Sequence, residues 1–187
     1  MNIFSSQLLL DSLGSHGLYE WTNDGTYSFT LGRNTLVHFT FVGPGVCWYD
    51  HYAVVMNDLI HIQGGGGGGA LYDAYAELPA GTYYIEILNS HMATSTVTYK
   101  GKTYTSYAGA GSWISLQNGY NIELMKVRGD ITKTETYEIS YQKTIVQETD
   151  GNSPSGNYGG ASLYYGYGRG SDYQANNQTN GYVKVEY

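Results

Sequence analysis

Two aspartates and two histidines lie close together in the first third of the chain and are its best candidates for binding a metal ion. They are Asp50, His51, Asp58 and His61, all within twelve residues. In an extended strand neighbouring side chains point to opposite faces, so Asp50 and His51 could not serve the same ion. The spacing also matches no known set of four ligands. We therefore predict no metal site, and we interpret these residues as solvated strand side chains with a hydrogen-bonded histidine.

Carboxylates are present, but no arrangement of them indicates catalysis. The acidic residues that glycoside hydrolysis could use are numerous, and no spacing singles out a pair: Asp130, Glu135, Glu138, Glu148 and Asp150. The sequence contains no nucleophile elbow. The glycine run Gly64–Gly69 lacks the Gly-Lys-Ser/Thr of a phosphate-binding loop. We therefore expect that the chain is not an enzyme and uses no cofactor, with a polysaccharide-degrading enzyme as a lesser alternative.

Tyrosine is the residue type that most favours recognition in this sequence. Of its 21 tyrosines, five stand together with one arginine among glycines and asparagines near the end of the chain: Tyr158, Tyr164, Tyr165, Tyr167, Tyr173 and Arg169. Rigid aromatic rings interleaved with adaptable polar groups are typical of binding loops. We predict that these residues, with Trp113, form a ligand-binding recognition loop. The alternative is that the rings pack on neighbouring subunits or on the glycine backbone.

Composition argues against several other classes of function. Only 13% of residues are charged, the net charge is -7 and the nine Lys and Arg are scattered, so we expect no nucleic-acid partner. No apolar stretch approaches the roughly 20 residues of a membrane helix, and the start of the chain lacks the features of a secretory signal. We therefore expect no membrane insertion. Cys47, the single cysteine, excludes an internal disulfide and is predicted to be a small buried residue.

Alternating apolar and polar residues predict short strands along most of the chain. The predicted strands are Tyr27–Leu31, Leu36–Val42, Trp48–Met56, Leu59–Gln63, Ala70–Glu77, Tyr83–Leu88, Thr94–Tyr99, Lys102–Tyr107, Ser112–Leu116, Asn121–Val127 and Ile131–Val146. Gly32–Asn34 is interpreted as the turn of a hairpin between the first two. Lys100-Gly101 and Asn118-Gly119 suit primed hairpin turns. Many short strands at regular spacing predict an all-β antiparallel sandwich or barrel-like domain.

The two ends of the chain depart from this pattern. The spacing of Phe4, Leu8 and Leu9 predicts a short N-terminal helix or docking arm at residues 1–17. Residues 18–187 then form a glycine-rich β domain, for which a division into subdomains 18–129 and 130–187 is the alternative. Residues 150–180 show no periodicity. Because the closing strand Gly181–Tyr187 must be anchored in a sheet, we expect an ordered long loop there.

Six consecutive glycines form a further predicted structural element: Gly64, Gly65, Gly66, Gly67, Gly68 and Gly69. Alone, such a run would be a flexible linker. Here, predicted strands lead directly into it and out of it. Residues without a Cβ allow backbones to approach closely, as in polyproline-II-like layers. We therefore predict that the glycine-rich loops are polyproline-II-like and structural.

Four segments, in order, resemble the glycine-rich tail-fibre and virion structural proteins of bacteriophages. They are Gly25–Thr30, Val37–Gly43, the polyglycine run followed by Pro79–Tyr83, and the closing Asn180–Tyr187. Together they extend the resemblance over most of residues 18–187. The chain departs from the family where a second dense glycine block is usual, at 92–129, and in the tyrosine-rich stretch 150–170.

The resemblance implies a virion component made in the host cytoplasm. We expect a tail-fibre tip or receptor-binding adhesin that contacts the host surface by binding alone. The implied partners are other virion proteins, further copies of the chain with a trimer favoured, and host surface carbohydrate. The alternatives are a capsid decoration or minor tail protein with a purely structural role, and a secreted bacterial lectin, against which the lack of a signal sequence counts.

Overall fold

A computed structural model of the chain describes residues 16–109, 113–118, 123–128 and 143–187. In these ranges the chain forms thirteen strands and no helix: β1 (Leu18–Trp21), β2 (Gly25–Leu31), β3 (Thr35–Val42), β4 (Tyr49–Val55), β5 (Asp58–Gly64), β6 (Leu71–Leu78), β7 (Gly81–Leu88), β8 (Met92–Tyr99), β9 (Lys102–Gly109), β10 (Trp113–Asn118), β11 (Glu123–Arg128), β12 (Lys143–Thr149) and β13 (Tyr182–Glu186). The predicted N-terminal helix or arm falls outside the described residues, apart from its last two positions.

The strands form three antiparallel sheets. The five-stranded sheet has the order β1-β13-β3-β6-β12, and its partner sheet has the order β11-β10-β7-β2. A third sheet, which we call the hairpin sheet, has the order β5-β4-β9-β8. The antiparallel sheets pack as a sandwich and do not close into a barrel. The all-β prediction is confirmed, and of the two predicted architectures the sandwich is the correct one.

The hydrophobic core lies between the five-stranded sheet and the partner sheet. Phe39 and Phe41 of β3 and Ile85 and Ile87 of β7 all point into it and are at most 2% exposed. Each fully buried side chain of this size stabilises the fold by about 1.5–3 kcal/mol. The apolar side chains whose alternation predicted the strands therefore also form the core that holds the two sheets together.

The predicted hairpin of the first two strands is wrong. β2 pairs along its length with β7, whereas β3 pairs with β6 and β13. Gly32–Asn34 instead carries the chain from one layer of the sandwich to the other. This corner lets Phe29 and Phe39 enter the same core from opposite sheets, with ring centroids 6.3 Å apart.

The hairpin sheet consists of two hairpins inserted into connections of the sandwich. β4–β5 lies between β3 and β6 in the chain, and β8–β9 lies between β7 and β10. Both hairpins turn on two residues with positive φ, Met56 (50°) with Asn57 (68°) and Lys100 (48°) with Gly101 (76°). The predicted Lys100-Gly101 turn is confirmed. The Asn118-Gly119 turn extends beyond the described residues.

The two ends of the domain meet in the five-stranded sheet. The predicted closing strand is confirmed as β13, which lies between β1 and β3. β1 was not predicted, because four residues are too few to show alternation; it is held by its antiparallel register with β13. The predicted strand Ile131–Val146 overlaps β12 at its end, and its remainder lies outside the described residues.

Candidate functional site: the glycine layer and its tyrosine turns

Several segments outside the sheets bond to one another through their backbones, and we call them the glycine layer: residues 43–48, 65–70, 151–172 and 176–181. Many of their glycines are buried, although they belong to no sheet. The predicted order of the loop 150–180 follows from these hydrogen bonds, because they anchor it to residues 45–46 and 65–69 in the first half of the chain.

The polyglycine segment bonds to three neighbouring segments in rotation, so that every third residue meets the same neighbour. The six bonds are Gly65 N–H to Gly156 O (3.0 Å), Gly68 N–H to Asn152 O (2.9 Å), Gly66 N–H to Ser171 O (2.8 Å), Gly69 N–H to Gly168 O (2.7 Å), Val46 N–H to Gly67 O (2.9 Å) and Gly43 N–H to Ala70 O (2.8 Å). A β-strand bonds only to a neighbour on either side, whereas three residues per turn is the period of polyproline II. The hydrogen bonds of this segment therefore have the period that the predicted polyproline-II-like glycine loop requires.

Close packing explains why this segment is glycine. A Cβ on Gly66 would overlap the carbonyl oxygen of Val46, and a Cβ on Gly69 would overlap that of Gly43. The same holds on a neighbouring segment, where a Cβ on Gly170 would overlap the carbonyl oxygen of Gly66. Backbones approach this closely only where no side chain intervenes, as at the axis of collagen. The glycine layer is therefore a packed element and not a linker.

Two tight turns of the glycine layer carry exposed tyrosines, and we call them the tyrosine turns. In the first, Ser155 and Tyr158 bond to each other in both directions at 3.0 Å. In the second, the Tyr167 N–H donates to the Tyr164 carbonyl at 2.8 Å, which places Tyr165 at the apex. Tyr158 is 73% exposed and Tyr165 is 89% exposed.

Tyr165 adopts a backbone conformation that its residue type disfavours. Its φ is 44° and that of Gly166 is 89°, the two positive angles of a primed turn. Asn, Asp and Gly normally occupy such positions, and a bulky residue there costs roughly 1–2 kcal/mol. The Tyr165 ring recovers little of this cost by packing, since it is 89% exposed and, among the rings of the described residues, meets that of Tyr164 edge-on at 4.6 Å. The fold thus keeps the Tyr165 side chain exposed to solvent at a position where asparagine or glycine would make the turn more stable.

Hydrogen bonds from two hydroxyl groups fix the second tyrosine turn. The Ser162 hydroxyl donates to the Tyr167 carbonyl at 2.6 Å and accepts the Tyr164 N–H at 3.2 Å. The Thr179 hydroxyl donates to the Gly166 carbonyl at 2.7 Å. A turn held in this way loses little conformational freedom when a ligand binds.

Two of the predicted recognition tyrosines anchor this turn to the sandwich. Tyr164 and Tyr167 stack on Tyr182 of β13, with ring centroids 5.5 and 4.7 Å apart. The Tyr182 hydroxyl donates to Glu20 at 2.8 Å. Burial, together with this carboxylate, raises the pKa of Tyr182 well above its usual range. These rings pack on the chain's own five-stranded sheet.

Arg169 is also bound within the glycine layer. Its guanidinium donates to both carboxylate oxygens of Asp172, at 3.0 and 2.9 Å. The Asn177 amide and the Gly159 N–H donate to the same carboxylate, each at 2.8 Å. These donors, Asn177 foremost, lower the pKa of Asp172 to about 2. The pair is therefore a charged clip that joins parts of the layer at neutral pH.

Tyr173 and Trp113 are held by the fold as well. The Tyr173 hydroxyl donates to Asp50 at 2.9 Å, and its ring meets the Trp48 ring edge-on at 5.4 Å. Trp113 begins β10, is half-buried and lies opposite Leu88 of β7. Of the seven predicted ligand-binding residues, only Tyr158 and Tyr165 are therefore more than half exposed.

Two of the four residues considered for a metal site, Asp50 and His61, form a hydrogen-bonded pair instead. His61 Nε2 lies 2.6 Å from Asp50 Oδ1, across the β4–β5 hairpin. His51 lies opposite Ile62, on the other face of the same hairpin. In the part of the chain that the structure describes, no group of three or more His, Cys, Asp or Glu side chains is placed to hold a metal ion.

A polar cluster that the sequence did not predict lies on the outer face of the five-stranded sheet. His38 lies between Asp73, 2.8 Å from its Nε2, and Glu186, 3.0 Å from its Nδ1, and its ring stacks on Tyr75 at 4.3 Å. Beside the cluster lies a groove of about 460 Å³. The alternation in β3 places His38 on the polar side, but the pairing of three strands distant in the chain supplies its partners.

Comparison of the chain with protein-family models, with curated protein sequences and with solved structures finds no match. Among the described residues, none belongs to a helix of the length and apolarity needed to span a membrane.

Proposed function

We propose that this chain is a bacteriophage virion protein that acts by binding, as a tail-fibre tip or receptor-binding adhesin. The observation that supports this most is the 89% exposed Tyr165 ring, held at a φ of 44° on a hydrogen-bonded glycine layer. A protein that needed only the turn would be more stable with asparagine or glycine there. We infer that tyrosine occupies position 165 because its ring contacts another molecule.

The proposed ligand is carbohydrate of the host surface. The C–H faces of sugar rings pack on aromatic rings, while amide groups and tyrosine hydroxyls bond to sugar hydroxyls. Tyr158 and Tyr165 supply the rings, and the exposed Asn157, next to Tyr158, and Asn180, whose carbonyl accepts the Gly168 N–H, belong to the same glycine layer. Because the layer is already ordered, binding loses little entropy. Catalysis and a cofactor have no part in this proposal.

The second candidate is a capsid decoration or minor tail protein with a purely structural role. Val55, Ile60 and Ile62 share one face of the hairpin sheet and are 43–53% exposed. Exposed apolar surface of this kind is typical of contacts between proteins. Under either candidate we propose that the chain is made in the host cytoplasm and assembles with other virion proteins and with copies of itself, as a trimer.

Binding of the fluorescently labelled protein to candidate host cells tests the adhesin proposal. We expect saturable binding that purified cell-surface polysaccharide removes. Tyr165→Asn removes the ring but suits the positive φ, so it should weaken binding about tenfold while the fold is retained. Addition of Tyr158→Ala should weaken it further.

Tyr84→Ala is the matched control. Tyr84 is a 36% exposed tyrosine on β7 of the partner sheet, outside the glycine layer, and its removal should leave cell binding unchanged. Equal binding by the wild type and the tyrosine-turn variants would exclude these turns as the site. No binding by the folded, assembled wild type would favour the structural role.

A further inference from the structure

The hairpin sheet adds nothing to the two buried clusters of the sandwich. No residue of β4, β5, β8 or β9 belongs to either cluster. Along these four strands most side chains are exposed or only partly buried. Ordering two hairpins costs backbone entropy that little burial offsets. Their role is therefore to present a surface and not to stabilise the core.

The turns of the two hairpins lie side by side, and we call them the hairpin tip. The Tyr99 hydroxyl donates to the Asn57 carbonyl at 3.0 Å and so joins the end of β8 to the β4–β5 turn. Met56, in that turn, is 96% exposed at a φ of 50°. Val54 and Val55 beside it are 40% and 47% exposed. Here, as at Tyr165, a large side chain occupies a position that asparagine or glycine would favour.

Two lysines flank this apolar surface. The ammonium groups of Lys100 and Lys102 lie over the rings of Tyr99 and Tyr104, at 4.8 and 5.1 Å. Neither lysine forms a salt bridge with any residue that the structure describes. With Asp58 as the adjoining acidic residue, the tip is locally positive on a chain whose net charge is -7.

We propose that the hairpin tip makes peripheral contact with an anionic lipid surface. Apolar side chains bordered by lysines and tyrosines are typical of segments that lie at the level of lipid headgroups. The tip would meet the surface end-on: Met56 would enter the boundary between headgroups and acyl chains, with Val54 and Val55 behind it on the two opposite faces of the hairpin. The lysine stems would keep the ammonium groups at the anionic headgroups. The contact is shallow, and it uses none of the tyrosine-turn residues, so it does not depend on the adhesin proposal.

Co-sedimentation with vesicles tests this directly. We expect the protein to bind vesicles of phosphatidylcholine mixed with phosphatidylglycerol more strongly than vesicles of phosphatidylcholine alone, and added salt to weaken that binding. Lys100→Gln combined with Lys102→Gln should weaken binding about 25-fold, which is about 1 kcal/mol per lysine at tenfold per 1.4 kcal/mol.

Met56→Asn separates lipid contact from folding. Asparagine adopts positive φ more readily than methionine, so the melting temperature should be unchanged or higher. Loss of the methionine from the apolar boundary should weaken vesicle binding about tenfold or more. Tyr165→Asn is the matched control, since it makes the same kind of change at a turn of similar φ and should bind vesicles like the wild type.

No binding to the mixed vesicles would overturn the proposal, as would binding that Met56→Asn and the lysine variants leave unchanged. Sedimentation velocity, which measures the oligomeric state, tests whether a second copy of the chain occupies this surface instead of lipid. If Met56→Asn dissociates an oligomer and vesicle binding is absent, the tip is a contact between copies. Cell binding that depends on Tyr165 would stand in either case.

Discussion

Replacing Gly66 by alanine tests whether the glycine layer is a packed structure. The added methyl group would overlap the carbonyl oxygen of Val46. Gly66 also donates to Ser171 at 2.8 Å and accepts from Gly160 at 2.9 Å, and Val46 donates to Gly67 at 2.9 Å. The segments must therefore separate, and the three hydrogen bonds cannot all keep good geometry.

The expected cost follows from these contacts. Three hydrogen bonds weakened or lost contribute up to about 3 kcal/mol, and overpacking adds about 1–3 kcal/mol. The reduced freedom of the unfolded chain offsets about 0.4–1 kcal/mol. We expect a net loss of about 3–5 kcal/mol, which is a large part of the 5–15 kcal/mol of a typical domain. At about 2–4 °C per kcal/mol, the melting temperature should fall by roughly 10 °C.

Thermal unfolding followed by far-UV circular dichroism measures this change, and tryptophan fluorescence, with Trp21 and Trp113 replaced by phenylalanine so that Trp48 alone contributes, reports on the layer itself. The Trp48 backbone N–H donates to the Ser171 hydroxyl at 2.6 Å and its indole N–H donates to Asn176 at 2.7 Å, so its signal should change when the layer separates. Gly32→Ala is the control, because a Cβ there meets nothing within 4 Å. Its melting temperature should equal that of the wild type or exceed it slightly.

Equal melting temperatures for Gly66→Ala and Gly32→Ala would refute the reasoning. They would mean that the polyglycine segment yields to a side chain without loss, as a flexible linker does. The period-three hydrogen bonding would then contribute nothing to stability.

Three further predictions concern the clip, the core and the tyrosine turns. The pKa of Asp172 is lowered from 3.8 to about 2, so its contribution to stability is complete above about pH 4 and is lost as the pH falls towards 2; Asp172→Asn should flatten this part of the melting temperature measured against pH. In urea denaturation, Ile85→Ala at a fully buried position should cost about 2–5 kcal/mol, and Leu36→Ala at a 61% exposed one under about 0.5 kcal/mol; equal costs would contradict the assigned core. Ser162→Ala should speed amide hydrogen exchange in the turn that carries Tyr165, and unchanged exchange would show that its hydroxyl does not hold the turn.

Local pattern was sufficient to predict most of the strands. In β3 the buried Phe39 and Phe41 alternate with the outward-facing His38, and this period of two is visible in the sequence. The Lys100-Gly101 turn was likewise predictable, because glycine tolerates the positive φ that a primed turn requires. The same local pattern could not show that β2 and β3 belong to different sheets. That depends on which distant strands they pair with.

The polar cluster on the outer face of the five-stranded sheet shows most clearly what local sequence pattern cannot predict. His38 and Glu186 are 148 positions apart, and Asp73 is 35 positions from His38. Nothing in the spacing of these residues relates them. They meet because β13, β3 and β6 are neighbours in one sheet and pair in register.

The sequence by itself determined the all-β class, most of the strands and the structural role of the glycines, because these follow from side-chain alternation and from the absence of a Cβ. Only the tertiary structure decided which tyrosines are free. Tyr164 and Tyr167 pack on Tyr182, whereas Tyr158 and Tyr165 remain exposed. All four are tyrosines in the same glycine-rich stretch of sequence. Whether each ring is exposed depends on which surface lies beneath it after the distant strands have paired.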